Sequence, residues 1–308
     1  MVLFDGNQKN TTQKANEDQG IFGPVLSVFG LPLDRNIIFS NHKGVYKKKI
    51  EKRQRHLIIK ISFLKFFLHC EENILLLTTG YSPMTFWELL LTFPAFFFFK
   101  RTLLVFTTKR IFHIPTTYRY KYRQILSQIR YEDCRSIAIK GRSMVLDLKS
   151  GERQIFSRLK PFELKKIKYL MGHFPIEDSL NADTAIHWLC PSCSNGLPFE
   201  PKTCPKCQLK FKAKTKAILS SILVPGGGFF YSRHHLYGIL MGLIEVVIMV
   251  SIALSGVNLK KVYSQNNLFL LILAVIILIS VKAINVFHSN TLVESPLPSK
   301  THFKRRKV

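Results

Sequence analysis

Two apolar runs in the last third of the chain restrict its folding more than any other feature. Leu236–Val257 is 22 residues with a single charge, Glu245, and Leu268–Phe287 is 20 residues with a single charge, Lys282. At about 1.5 Å per residue the first is about 33 Å long as a helix, enough to cross the hydrocarbon of a bilayer. In lipid each backbone N–H and C=O must be bonded within its own segment, so both runs are expected to be helical. Ten residues containing Lys260 and Lys261 join them, which predicts a transmembrane hairpin. Of the 45 Lys and Arg, 37 precede Leu236 and only two lie in the connector. That asymmetry puts both termini on the cytosolic side. Lys304, Arg305 and Arg306 in the tail agree with it.

In this hairpin Glu245 and Lys282 enter from the same side, to depths of roughly 13 and 8 Å. A lone intramembrane carboxylate is costly, and a lysine stem can reach across the difference in depth. The two are therefore expected to pair. The alternative is a protonated Glu245 and a Lys282 that reaches the interface. Gly238 and Gly242 form a GxxxG, a spacing that allows helices to pack closely and offers a face for homo-oligomerisation. Just upstream, Ala217–Val224 is too short to span and suits an interfacial or re-entrant turn. It leads into Pro225-Gly226-Gly227-Gly228-Phe229-Phe230-Tyr231, where the glycines allow a sharp bend. A phosphate-cradling loop is excluded because no Gly-Lys-Ser/Thr follows. This "LxPGxGxFY" run, followed by Gly238 and an apolar helix, resembles the TM2-type membrane hairpin over about 70 residues. It departs from that family at Phe229, where an acidic residue is usual, and at Ser232.

Cys190-Pro191-Ser192-Cys193 and Cys204-Pro205-Lys206-Cys207, ten residues apart, form the most specific chemical signal. Each CxxC can wrap a turn that aims two thiolates at one ion, and two such turns make the four-sulfur tetrahedron that zinc prefers. A redox dithiol usually stands alone beside a βαβ pattern, which is absent; a small iron–sulfur site is the other competitor. His187 is expected to be a bystander, since four thiolates complete the shell. Residues 186–212 are too few to fold without metal. Their "CPxC…CPKC" pattern resembles the short zinc ribbons of bacterial membrane proteins. Four protein ligands leave no open position, so the expected Zn2+ is structural. Cys70 and Cys134 stand apart, a usage that suits a reducing compartment.

The basic character is concentrated ahead of the ribbon. Lys47, Lys48, Lys49 and Arg53 open a segment, 45–71, in which Leu57, Ile61, Leu64 and Leu68 recur at helical spacing. It reads either as a helix packed on the next domain or as a basic amphipathic helix on an anionic bilayer. Residues 1–44 show no assignable element. From 72 to 175 the pattern gives strands at Ile74–Thr79, Leu103–Thr107, Arg110–Ile114, Ser136–Lys140, Met144–Leu148 and Arg153–Phe156, then a helix over Phe162–Phe174. Leu103-Leu104-Val105-Phe106-Thr107-Thr108-Lys109-Arg110 and Gln128–Asp133 resemble the strand-turn-strand of the bacterial pleckstrin-homology and GRAM-like small barrels. That resemblance implies an α+β fold with a small PH-like β-barrel and lipid-headgroup or protein binding. Between the first two strands, 86–99 is an aromatic run with Glu88 and Pro94 inside. It suits either core packing or an interfacial wedge that Lys100 and Arg101 would anchor.

No His–carboxylate spacing, nucleophile elbow or nucleotide loop is present, which points away from an enzyme. The expectation is a protein of the bacterial inner membrane that binds anionic phospholipid or a protein partner. Arg233 would meet headgroups beside the hairpin, 217–288, and the tail, 289–308, would lie in the cytosol. A membrane-tethered zinc-ribbon nucleic-acid binder is the first alternative, resting on Lys202, Lys206, Lys210, Lys212, Lys214 and Lys216, although no aromatics alternate with basic residues in the loop. An accessory subunit of a membrane enzyme or transporter is the second.

Overall fold

The computed structural model describes residues 25–92, 99–172, 174, 186–257 and 265–299. Lys304, Arg305, Arg306, the connector lysines 260 and 261, and residues 93–98 of the aromatic run lie outside them. The chain opens on a hairpin, β1 (Val25–Val28) and β2 (Leu31–Asp34), whose turn holds Phe29 and Gly30 at φ 54° and 74°. Asp34 ends β2 and starts a short turn of helix, α1 (Arg35–Ile38), by accepting the Ile37 N–H at 3.0 Å. These elements occupy a region that the sequence pattern left unassigned. Helix α2 (Lys48–Lys60) and a 3₁₀ turn (Ser62–Phe66) follow.

The central sheet then runs through β3 (Ile74–Tyr81), β4 (Arg101–Thr107), β5 (Arg110–Pro115) and β6 (Leu126–Arg130), antiparallel throughout. These strands are apolar on both faces because both faces are covered. Ile74, Leu77, Leu103, Val105 and Phe112 pack with Leu57, Ile58, Ile61 and Leu64 from α2 and its extension. Leu76, Leu104, Phe106, Ile111 and Ile129 face the opposite way into a second core. That core is closed by a three-stranded sheet, β7 (Cys134–Lys140), β8 (Ser143–Leu148) and β9 (Arg153–Phe156), with α4 (Pro161–Met171). The apolar face of α2 is thus a core face, while Lys47, Lys48 and Lys49 are exposed at its start. At about 1.5–3 kcal/mol per buried aliphatic side chain, its four aliphatics are a large share of that core.

The expected closed barrel is not formed. Among the described residues the strands make one eight-stranded and one three-stranded sheet, which meet through a bridge between Tyr81 and Ser157. Side chains take over where a ladder would otherwise run along β3. Gln54 donates Nε2–H to the Leu77 carbonyl at 2.9 Å and accepts the Leu77 N–H at 3.3 Å. Buried Glu163 of α4 accepts from Thr78 Oγ1 at 2.5 Å and from Arg53 Nε at 2.7 Å. Every buried strand group needs a partner, and here helices supply it instead of a closing strand.

Between β3 and β4, α3 (Phe86–Thr92) starts on a capping box: Thr85 Oγ1 accepts the Glu88 N–H and Glu88 Oε2 accepts the Thr85 N–H. The last elements are β10 (His187–Leu189), β11 (Gly196–Leu197), α5 (Lys214–Leu223), α6 (Gly227–Tyr231) and two long helices, α7 (His235–Val257) and α8 (Gln265–Val293). Both long helices are long and apolar enough to cross a membrane, and few of their side chains are buried in the protein.

Candidate functional site

Cys190, Cys193, Cys204 and Cys207 converge, with all four sulfurs within 4.8 Å of one another. Cys190 Sγ lies 3.5 Å from Cys207 Sγ, and Cys193 Sγ lies 3.6 Å from Cys204 Sγ. An ion held tetrahedrally at about 2.3 Å from each sulfur requires S–S edges of about 3.8 Å, so the four residues fit a metal ion. The local backbone explains the convergence. In each knuckle the first cysteine is bracketed by paired main-chain bonds, Cys190 N–H to Asn195 O with Ser194 N–H to Cys190 O, and Cys204 N–H to Leu209 O with Gln208 N–H to Cys204 O. Such a turn needs a left-handed residue after the second cysteine, and Ser194 and Gln208 take it at φ 60° and 58°. Burial opposes the Cys204 thiolate, yet the N–H groups of Cys207 and Lys206 and the neighbouring thiols draw that thiol down to about 7. Burial pushes the Cys190 thiol up, against N–H groups of Ser192 and Cys193 that favour its charged form. His187 is no part of the cluster; its Nε2 is 3.4 Å from Asp133 Oδ2.

The cluster is continuous with the central sheet. Strand β10 pairs with β6 in the register Trp188↔Ser127, and Leu189 sits in the core under α2. On its other side, Lys212 N–H bonds Leu297 O, Ser299 N–H bonds Lys210 O, and Phe211 bridges Pro298. Both ends of the helical hairpin therefore return to the cysteine knuckles.

Within the hairpin, Lys282 Nζ lies 2.6 Å from Glu245 Oε2, and Glu245 is fully buried. Lys282 also donates to Ser221 O at 3.0 Å, near the C-terminal end of α5, where a cation meets the negative end of the helix dipole. Asn285 bonds the other Glu245 oxygen, and Ser221 Oγ donates to Ser289 Oγ at 2.7 Å. The partners Asn285 and Ser289 escaped the sequence reading, although 282, 285 and 289 share one helix face. Helix α5 presents Leu219, Ile222 and Leu223 outward beside this polar seam. Gly238 and Gly242 receive the same chain's turn. A Cβ on Gly226, which is at φ +64°, would meet Gly238 O at 2.1 Å, and one on Gly242 would meet Pro225 O at 3.1 Å. That close-packing face is already in use within the chain.

The other basic candidates divide into two groups. Lys47, Lys48 and Lys49 are exposed. Arg53 is held by Glu163, Lys100 pairs with Glu88 at 2.6 Å, and Arg101 donates to Tyr118 O at 2.8 Å. Arg233 donates to Pro298 O at 2.8 Å and to Gln124 Oε1 at 3.3 Å. Phe99 packs against Phe229, His234 and Tyr237, so the β3–β4 insertion abuts the base of the first long helix.

No family model matches the chain, no curated protein is similar to it in sequence, and no solved structure matches its fold. Fold and site define an α+β protein with a four-cysteine cluster able to hold a metal ion and two helices of membrane-crossing length.

Proposed function

We propose that the chain is a non-enzymatic membrane protein whose basic domain binds anionic lipid at the membrane face, with a structural zinc ion in the ribbon. The observation that carries this reading is the junction itself. Phe99 and the ribbon ends pack directly at the start and finish of the helical hairpin, so the domain has a fixed seat beside the bilayer. Exposed Lys47, Lys48, Lys49 and Lys52 then lie on a protein of net charge +26, and each cation near an anionic surface adds about 1 kcal/mol. Four strands followed by three and a terminal helix support a PH-like relationship, with Gln54, Arg53 and Glu163 bonding the edge of β3 where a closing strand would lie. Zinc fits a closed tetrahedral four-thiolate shell with no open position, and in that setting it stabilises and does not catalyse. Both hairpin ends at one ribbon favour cytosolic termini in a bacterial inner membrane. A protein partner on the basic face is the variant of this reading.

The exposed ribbon lysines, Lys202, Lys206 and Lys210, favour nucleic acid as the second reading. Hydrogen exchange of the full chain in nanodiscs separates the two. Added phosphatidylglycerol should protect residues 43–55 relative to phosphatidylcholine alone. No lipid dependence, together with tight and salt-sensitive binding of RNA or DNA, would transfer the assignment to nucleic acid.

A further inference from the structure

Three cations meet where the domain, the ribbon and the hairpin join. Arg123 comes from the loop between β5 and β6, Lys212 from the ribbon exit, and Arg233 from the turn between α6 and α7. Arg123 Nη2 is 2.6 Å from His234 Nε2 and 3.4 Å from Ser232 O. The fork of Arg233 reaches Gln124 Oε1 and Pro298 O, and Lys212 Nζ bonds Tyr231 O and lies 4.6 Å from the Tyr231 ring centre. Among the described residues, no Asp or Glu forms an ion pair with any of the three. Nε and Nη1 of Arg123 have no hydrogen-bond partner among them either. Burial and the Arg233 charge draw Arg123 down to about 10 and Lys212 to about 8. Arg233 itself sits at φ +64°, a conformation that disfavours a side chain, in a turn closed by the Arg233 N–H to Phe230 O and the His234 N–H to Phe229 O. Half-buried, mutually repelling cations are unfavourable unless an anion completes them.

We propose that Arg123, Arg233 and Lys212 form a site for the phosphate of one anionic phospholipid headgroup. Guanidinium forks match phosphate oxygens in bidentate fashion, and Lys adds a point charge. Helix α7 starts two residues after Arg233, so the site is level with headgroups rather than acyl chains. The lipid would join loop, ribbon and hairpin, three elements that otherwise hold like charges together. This inference rests on the membrane reading above but not on the Lys47–Lys49 surface.

The test uses the full chain in neutral detergent micelles, read by native mass spectrometry and thermal unfolding. Added phosphatidylglycerol should be retained at one per chain and raise the unfolding midpoint, as a ligand of the native state must. Phosphatidylcholine should do neither. Arg123→Gln, Arg233→Gln and Lys212→Gln should each weaken retention at least tenfold, with Arg233→Lys partly restored. Lys212→Gln serves if an arginine variant does not fold, because the Lys212 side chain bonds Tyr231 alone among the described residues, and its main-chain bond to Leu297 O survives the substitution. Equal retention of both lipids would overturn the site, and so would unchanged affinity in the folded variants. Stabilisation by inorganic phosphate without any by the lipid would overturn the lipid as occupant. Lys47→Gln/Lys48→Gln/Lys49→Gln should retain the micelle-bound lipid. If that triple variant loses only the nanodisc protection, the surface reading and this site are separate; if it also loses the bound lipid, the site as assigned here is wrong.

Discussion

Two positions in the cysteine knuckles carry backbone strain that the chemistry does not require. Ser194 and Gln208 occupy left-handed φ values that cost a side-chain-bearing residue roughly 1 kcal/mol or more. Gln208→Gly should therefore stabilise the metal-bound protein by about 0.5–1 kcal/mol, after the extra freedom of glycine in the unfolded chain is subtracted, whereas Ser194→Gly should gain less because it loses the Ser194 Oγ–H bond to Phe66 O at 3.0 Å. Chemical denaturation of the metal-loaded protein measures this, and destabilisation by both would show that the side chains contribute more than the turn. A second residue is readable through pH. Lys166 is buried, with Nζ bonded to Ser40 O at 2.7 Å and to Ile37 O. Burial pulls its amine down to about 7, against Asp34 and Glu163, which favour the charge. Between about pH 7 and 10.5 the unfolded chain binds that proton more than the native one, so stability rises with pH across that window. The unfolding midpoint of wild type minus that of Lys166→Met should climb from pH 7 to 10. A flat difference would mean that Lys166 keeps its ordinary affinity for the proton. Nothing in Pro161-Phe162-Glu163-Leu164-Lys165-Lys166 marks Lys166 as the inward lysine. Only the carbonyls of Ile37 and Ser40, in and just past α1, do so, and α1 itself has no periodic signal in four residues.

Elements with a long period were legible in the sequence, and those defined by their partners were not. The two apolar helices, the β7–β8–β9 turns at Gly141 and Gly151, and the helix opened by Pro161 all follow from spacing alone. Strands β1, β2, β10 and β11 are two to four residues each and exist only because a neighbouring edge receives them. The polar seam between α7 and α8 lies between these cases. Glu245 and Lys282 stood out as lone charges, whereas Asn285, Ser289 and Ser221 are ordinary residues until α5 folds back against α8. The pair should couple energetically, because removing one member leaves the other uncompensated in a dry site. Glu245→Gln and Lys282→Met should each destabilise the hairpin, by about 1–3 kcal/mol. The double variant should lose less than the sum by about 1 kcal/mol or more in detergent-denaturant titrations. Strict additivity would assign each residue an independent role, with Lys282 held chiefly by the Ser221 carbonyl.

At the scale of the whole molecule, the cysteine knuckles are a joint with three attachments rather than a module on a tether. β10 extends the central sheet at β6, Leu189 enters the core beneath α2, and 210–212 pair with the strand returning from α8 at 297–299. A segment of 27 residues, 186–212, that needs metal to fold would leave the rest folded on its loss if it were only tethered between two larger parts. The register Trp188↔Ser127 argues for a wider consequence, because β6 becomes the sheet edge once β10 leaves. Stripping the metal with a chelator, or Cys204→Ser, should expose amides of 126–130, 187–197, 210–212 and 297–299 to hydrogen exchange together. Amides of β3, β4, β7 and β8 should stay protected, since one core holds no cluster residue and the other takes Leu189 at its margin while resting on α2, β3, β4 and β5. Loss of cooperative unfolding in β3 and β4 would make the metal part of the central core. Unchanged protection at 297–299 would mean that the return strand holds without it. The intermediate outcome argued here follows from where the ladder bonds run. A metal ion that fixes two knuckles also fixes the edge strand on one side and the hairpin's exit on the other, so its loss should uncouple the domain from the two long helices while leaving each folded.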